Sequence, residues 1–500
     1  MHEPEKGKRI MSFEKILIAN RGEIAIRVMR TCREIGIKSV AVFSTEDRKS
    51  LFYRLANESY LLKGTEIQDT YLNIEKMIYI AKKTGCGAIH PGYGFLSENP
   101  TFVDACESAG VKFIGPKSAT MKKVGDKARI KKIMEAAGIP VLPSFENPDD
   151  TEELADIVRR IGFPLIIKPT FGGGGKGMKI VYSEPELVPA IQFAQNMGRT
   201  AFGNPAFYVE KYLENSRHIE VQILADGQGQ IVDLGERDCS IQRRHQKLIE
   251  ESPSPALNRE LRRQVADLAR RAAQAVEYEN AGTIEFLFED GKFYFLEVNA
   301  RIQVEHPVTE LVTGIDLIKE QIKIAAGEPI KISKKRTVPN GWAIECRINA
   351  EDPESNFMPS PGQITGYRSP GGIGVRVDSG VFMGFSIPPQ YDSLISKLTV
   401  WGRNRNEATA RMRRALDEYV ILGIKNTLPL YRAIFREKEF LKGKHATSYI
   451  DKHLQGLLQD VEQHTNKFQE RMLTSIFHND RGMPVCDAYL VNEEFPVFYT

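Results

Sequence analysis

Gly282-Thr-Ile-Glu-Phe-Leu-Phe-Glu-Asp-Gly-Lys-Phe-Tyr-Phe-Leu-Glu-Val-Asn299 is the stretch on which the reading of this sequence turns. Two apolar, aromatic-rich runs flank Asp290-Gly291, a β-hairpin signature. With a three-residue loop over 290–292, Glu289 faces Phe293 and Glu285 stands directly opposite Glu297, Asn299 sharing that face two residues on. A two-residue loop sends the two glutamates to opposite faces. Like charges opposed across strands repel, and carboxylates inside apolar strands are costly to bury. A divalent cation reverses both penalties. Two carboxylates and an amide oxygen suit Mg²⁺ or Mn²⁺ carried in with nucleotide phosphates, so Glu285, Glu297 and Asn299 are candidate metal ligands. The plainer alternative is an exposed face with two solvated glutamates.

Upstream, strands and helices alternate. Lys15–Ala19, Val40–Phe43, Ala88–Ile89 and Lys112–Ile114 read as strands, with helical spacing over Gly22–Glu34, Tyr71–Thr84 and Thr101–Ala109. That order predicts a parallel, Rossmann-like sheet, with Asn20–Glu23 and His90–Asn99 on the ligand-binding edge. The first βα turn has only Gly22 and lacks the dinucleotide fingerprint, which counts against a nicotinamide enzyme. Near residue 130 the pattern becomes mixed antiparallel, and from about 340 a third region of strands begins. The fold class expected is therefore α/β and α+β, with a Rossmann-like N-terminal part, a middle part built on hairpins, and a C-terminal mixed β domain.

Gly172-Gly-Gly-Gly-Lys-Gly177 fails the P-loop pattern but lies between two strands, where side-chain-free backbone can approach a phosphate and move as a lid. Lys168 finishes the strand before it and is placed to meet phosphate charge; Lys127 is a second candidate. Arg301 and Glu305 follow the hairpin directly and form a pair able to orient a small anion and take its proton. The basic run Gln242–Lys247 has no aromatic platform and reads as part of an anion site rather than a nucleic-acid patch.

The 500 residues suggest about three domains. Charge is balanced, 68 Lys+Arg minus 65 Asp+Glu giving +3, so net charge does not steer the chain to nucleic acid or membrane. No run is long and apolar enough for a membrane span, and residues 1–12 read as a leader with no secretory pattern. The six cysteines form no C-x-x-C pair and the nine histidines show no metal spacing, which fits a reducing cytoplasm and no zinc.

From about Phe13 to Ile450 the sequence resembles the biotin carboxylase component of biotin-dependent carboxylases, of the ATP-grasp group. The likeness rests on Ile18–Ala25, His90–Asn99, Gly172–Met178, Glu236–Lys247, Arg301–Thr309 and Glu345–Asp352 in order. The resemblance implies an N-terminal Rossmann-like domain over 13–125, an ATP-grasp domain over 126–330 with a glycine-rich lid at about 140–213, and a C-terminal domain over 331–452; the extra segment over 453–500 lies outside it and could dock a partner. It implies a ligase in which ATP phosphorylates bicarbonate to carboxyphosphate, and biotin on a carrier is then carboxylated. Carried over by position, Lys127, Lys168, Gly174 and Gly175 meet ATP phosphates. Glu210, Lys211, Tyr212 and Leu213 lie at the adenine hinge, and His218, Gln242 and His245 line the nucleotide site. Glu285, Glu297 and Asn299 match the metal ligands; Lys247, Arg301, Gln303 and Val304 match the bicarbonate site. Glu305 matches the base and Arg347 the arginine facing the biotin enolate. No Met-Lys-Met attachment motif occurs in the sequence, so biotin is expected on a separate carrier protein. Further partners implied are a second copy in a homodimer and a separate carboxyltransferase. The other readings are a different ATP-grasp ligase and a non-catalytic nucleotide-binding regulator.

Overall fold

A computed structural model describes residues 13–146, 157–170, 177–333 and 337–464. β1 (Lys15–Ile18) runs into α1 (Gly22–Glu34), β2 (Lys38–Phe43), β3 (Glu58–Leu61), α2 (Ile74–Lys83), β4 (Ala88–His90), α3 (Pro100–Ser108) and β5 (Lys112–Phe113). The strands form a parallel sheet in the order β3-β2-β1-β4-β5. β1 is almost wholly apolar because helices cover both faces of the sheet. The strand order reverses between β1 and β4, the point where such sheets open a crevice. There Asn20 Nδ2 donates to the Pro91 and Tyr93 carbonyls at 2.7 and 2.8 Å, tying the two edge loops together. Asn99 caps α3 by accepting from the Phe102 N–H, with Pro100 at its first position.

α4 (Lys127–Ala136) then leads to a smaller unit of β6 (Ser144–Glu146), β7 (Leu165–Pro169), β8 (Lys179–Val181), α5 (Leu187–Phe202) and β9 (Phe207–Lys211). Its sheet order is β6-β9-β7-β8, and β7 pairs antiparallel with β8 as the glycine-run reading expects. Leu165, Ile167, Val181, Ala194 and Val209 give it a core of its own.

The rest is organised by one eight-stranded sheet. Its members are β10 (Arg217–Ala225), β11 (Ile231–Arg243), β12 (Gln246–Ser252), β13 (Asn280–Glu289), β14 (Lys292–Asn299), β15 (Trp342–Asn349), β16 (Val375–Ser379) and β17 (Leu394–Gly402). They lie in the order β14-β13-β10-β11-β12-β15-β17-β16. Around it pack α6 (Arg259–Ala275), α7 (His306–Thr313), α8 (Leu317–Ala325), α9 (Arg405–Glu418), α10 (Leu428–Ile434) and α11 (Tyr449–Gln463).

Packing crosses two of the expected divisions. The division at 330/331 is bridged because β12 pairs with β15, Ile249 facing Cys346 and Glu250 facing Glu345, and Leu248 and Ile249 share a core with Ile344 and Leu398. The division at 452/453 cuts α11, whose Tyr449, Ile450 and Leu457 are buried in that same core. The repeat of apolar residues three and four apart continues past 452, so the helix does too. Leu457→Ala is expected to cost about 2–5 kcal/mol in urea unfolding through loss of buried side-chain volume, whereas the nearby change Gln459→Ala, away from that core, stays within about 0.5 kcal/mol.

Candidate active site

β10 is buried at every position, yet it alternates. Ile219, Val221 and Ile223 enter the main core, while His218, Glu220 and Gln222 share the other face. A strand covered on both sides that keeps a polar face needs partners there. Pairing provides a row across four strands: Arg237 faces Glu220, Glu220 faces Glu285, and Glu285 faces Glu297. The hairpin reaches this register differently from the three-residue loop considered above. Glu289 pairs with Lys292, leaving a two-residue turn of Asp290 and Gly291 with φ of 50° and 77°. Pairing then jumps from Phe286 with Phe295 to Glu285 with Glu297. Leu296 is the extra residue of a β-bulge, and that insertion returns both glutamates to one face.

The row is compensated from β12. Arg244 and His245, both at positive φ, turn the chain so that Lys247 lies opposite Gln242. Lys247 Nζ donates to Glu220 at 2.5 Å, Glu305 at 2.7 Å and Glu285 at 2.8 Å. Burial works against the ammonium, but the three carboxylates outweigh it and raise its pKa well above that of ordinary lysine. Arg237, fully buried, adds hydrogen bonds to Glu220, to Gln222 at 2.8 Å and to Thr309 and Thr283 at 3.0 Å. His218 Nε2 lies 2.8 Å from Glu285, whose carboxyl is held well below the usual range by Lys247 and His218 in spite of burial. Arg347 bridges Glu250 at 2.5 Å and Glu305 at 2.8 Å. Glu305 therefore stays ionised, Lys247 and Arg347 overcoming its burial.

Arg301 lies before α7, and its partner is not Glu305, which removes the alternative of a helical i,i+4 pair. Its Nε donates to Glu98 of the N-terminal edge loop at 3.0 Å, and its terminal nitrogens donate to Gln303 at 3.0 Å and Asn299 at 2.9 Å. Glu98 also accepts from the Ala300 N–H at 3.0 Å. Gln303 Nε2 and Asn299 Nδ2 each donate to Glu285 at 2.9 Å. Buried Lys397 donates to the Val304 carbonyl at 2.9 Å. Lys247, Arg301, Gln303, Glu305 and Arg347 are thus gathered around one group of carboxylates, and Lys397 holds the Val304 carbonyl next to Glu305.

The nucleotide-side candidates gather around Glu210. Lys168 pairs with one of its oxygens and Lys131 with the other at 2.5 Å. Lys127 stands at the first position of α4, where burial of its ammonium lowers its pKa and Glu297 opposes that. Lys211 donates to the Phe163 carbonyl at 2.9 Å, and the Tyr212 N–H donates to the Pro164 carbonyl at 3.1 Å, so the hinge is stitched to the loop before β7. An open cleft of about 390 Å³ borders it, lined by Lys211, Tyr212, Leu213 and Phe288 among others. Gln242 is buried, and burial with the Lys168 charge lowers the His245 pKa. Gly174 and Gly175 lie outside the described residues.

The donor set fits a divalent cation. Glu297 lies opposite the ionised Glu285 at the exposed end of the row. Two carboxylates and the Asn299 amide oxygen are hard oxygen donors of the kind such a cation takes. Sequence reading missed Glu98, Lys131, Glu220, Arg237, Glu250 and Lys397. The alternation of β10 signals Glu220; the others are brought in by pairings distant in sequence.

Comparisons with known proteins agree with this geometry. The biotin carboxylase N-terminal domain family matches residues 12–121, the carbamoyl-phosphate synthase L chain ATP-binding domain 126–333, and the biotin carboxylase C-terminal domain 345–452. A pyruvate carboxylase subunit of Methanothermobacter thermautotrophicus is 54% identical over 459 residues, covering 92% of this chain and 94% of the relative. Biotin carboxylase 1 of Bacillus subtilis is 50% identical over 442 residues, covering 88% and 98%. The biotin carboxylase domain dimer of Hydrogenobacter thermophilus 2-oxoglutarate carboxylase, solved with MgADP, ADP and bicarbonate, is similar with a TM-score of 0.86 at 46% identity, covering 89% of this chain and 99% of that one. Fold and site together define a ligase of the ATP-grasp class. Within that class the chain belongs to the biotin carboxylase family, which carries out the ATP-dependent carboxylation of biotin, the first half-reaction of biotin-dependent carboxylases.

Removing the central ammonium has a pH-dependent signature. Lys247→Met leaves Glu220, Glu285 and Glu305 short of a cation, so about 3–5 kcal/mol of stability is expected to be lost at high pH. The loss shrinks as pH falls and the carboxylates, now with raised pKa, take up protons. Urea unfolding at both ends of that range measures it.

Proposed function

We propose that Lys247, Arg301, Gln303 and the Val304 backbone hold bicarbonate, and that Glu305 takes its proton. The supporting observation is the threefold clasp of Lys247: one ammonium joins the carboxylate of the base to the row bearing the cation ligands. Lys127, Lys168 and the glycine run with Gly174 and Gly175 hold the ATP phosphates. Glu210, Lys211, Tyr212, Leu213, His218, Gln242 and His245 surround the nucleoside side. Glu285, Glu297 and Asn299 would hold Mg²⁺ or Mn²⁺, which when bound neutralises the phosphate oxygens that bicarbonate must approach.

In this reading a bicarbonate oxygen attacks the γ-phosphorus, the bond to ADP breaks, and carboxyphosphate forms. Two anions meet only because lysine, arginine and the cation cancel their repulsion. In the unliganded site Lys247 and Arg347 depress the proton affinity of Glu305. When an arriving anion draws them off, Glu305 becomes a better base in the same step that positions its substrate. Carboxyphosphate then releases phosphate, which takes the ring N–H proton of biotin, and the carboxyl group passes to the nitrogen of the resulting enolate, which Arg347 faces.

The division into the three family regions and an added C-terminal segment is part of this reading. So are a biotinylated carrier protein or domain, a carboxyltransferase, a homodimer and a cytoplasmic setting. No helix of the described residues is long and apolar enough to cross a membrane. Relatives named for pyruvate and 2-oxoglutarate carboxylases favour a 2-oxo acid, pyruvate first, as the final acceptor over acetyl-CoA or propionyl-CoA. The purified chain is expected to cleave ATP only with bicarbonate present and faster with free biotin. Glu305→Gln is expected to lower carboxylation by about 10²–10⁴-fold, and Arg301→Ala by at least about 10²-fold. Bicarbonate-independent hydrolysis, or normal turnover in either variant, contradicts these assignments; capture of the biotinylated partner identifies the acceptor.

A further inference from the structure

Beside the Lys247 network lies a second pair of acids to which the reaction assigns nothing. Glu250 on β12 is the direct cross-strand partner of Glu345 on β15, and Glu345 faces Thr399 on β17. Both glutamates are 0% exposed. One oxygen of Glu250 accepts from Arg347 Nε at 2.5 Å, and one oxygen of Glu345 accepts from the Thr399 hydroxyl at 2.8 Å. The remaining oxygens, Glu250 Oε2 and Glu345 Oε1, are buried without a hydrogen-bond partner.

The cations nearby are committed elsewhere. Arg347 also holds Glu305, and Lys247 serves three carboxylates. Lys397 Nζ lies 3.1 Å from Glu23 and donates to the Val304 carbonyl. Cys239, Cys346 and Tyr431, further titratable groups close to the pair, are pushed up by burial and stay neutral. Two ionised carboxylates in direct opposition, with one shared arginine between them and Glu305, are not tolerated in a dry interior. A single proton removes the repulsion and gives both orphan oxygens a partner at once, as O–H···O.

We propose that Glu345 carries a proton that it shares with ionised Glu250, and that this acid–carboxylate pair is a positioning device holding Arg347 by its Nε while its other N–H groups face biotin. The proposal rests on the assignment of Arg347 to the biotin side. In support, burial raises both carboxyls, Glu345 the further of the two, the pull of Arg347 opposing it at Glu250 and that of Lys397 at Glu345.

A proton kept in the folded state above the pH where unfolded glutamates lose theirs makes stability fall as pH rises. One such proton contributes up to about tenfold in the unfolding constant per pH unit above about pH 5, where unfolded glutamates have lost theirs, until the folded pair gives up its own. In Glu345→Gln an amide N–H replaces the O–H toward Glu250 and no proton is taken up, so that contribution disappears from the slope of urea unfolding against pH. Glu345→Met removes the titrating group without an amide and is expected to flatten the slope likewise, which keeps the test open if one variant does not fold; Glu250→Gln leaves Glu345 protonated by its burial. The exposed change Glu135→Gln leaves the slope alone. In steady-state carboxylation, Glu250→Gln is expected to raise the biotin KM about tenfold or more with the ATP KM within about threefold, while Glu345→Gln keeps both within about threefold. Retention of the wild-type slope in the two Glu345 variants overturns the shared proton, and an unchanged biotin KM in Glu250→Gln overturns the positioning role. The unfolding readout needs no assumption about the reaction, whereas failure of the functional reading appears in the wild type as ATP cleavage that biotin does not stimulate.

Discussion

One buried ammonium makes the rest of this structure possible. Four strands bring Arg237, Glu220, Glu285 and Glu297 into a single row, and Glu305 enters from the loop before α7. Such a concentration of negative charge cannot stay in a covered sheet without cations fixed in place. Lys247 reaches three of those carboxylates because the positive-φ turn at Arg244 and His245 sends β12 back along β11 in the required register. Arg237 completes the compensation from the opposite end of the row.

The continuous sheet explains how chemistry at two substrates is kept in one frame. β12 carries Lys247 toward Glu285 and Glu250 toward Arg347, so two residues of one strand link the two groups of charges. The N-terminal sheet is fastened to this frame by charge as well as by packing. Arg27 of α1 pairs with Glu310 and Asp316 at 2.7 Å each, and Arg376 of β16 pairs with Glu310 at the same distance. Glu98 reaches across from the edge loop to hold Arg301. The unit of β6 to β9 differs, having a separate core.

Much of this was legible from local signals. Strand–helix alternation pointed to the parallel sheet, because periodicity and turn residues act over short distances. Asp290-Gly291 located the hairpin, and the chemistry of opposed carboxylates singled out Glu285 and Glu297 before their pairing was known. The loop length was not legible, since a bulge at Leu296 compensates a shorter turn and leaves no compositional mark. Nor was the junction of β12 with β15, which joins residues about a hundred positions apart and makes one sheet of two expected domains. Glu98, Arg237 and Glu250 escaped for the same reason: their importance comes from partners that only the fold supplies. The quoted motifs carried the family assignment because each is a contiguous run.

The most direct test of the central claim is a crystal structure of the protein with a non-hydrolysable ATP analogue, Mg²⁺ and bicarbonate. Lys247 and Arg301 should then contact the bicarbonate, with Glu305 beside it and the ion seated between Glu285 and Glu297. Bicarbonate bound elsewhere, or those two glutamates turned to solvent with no ion near them, would contradict it.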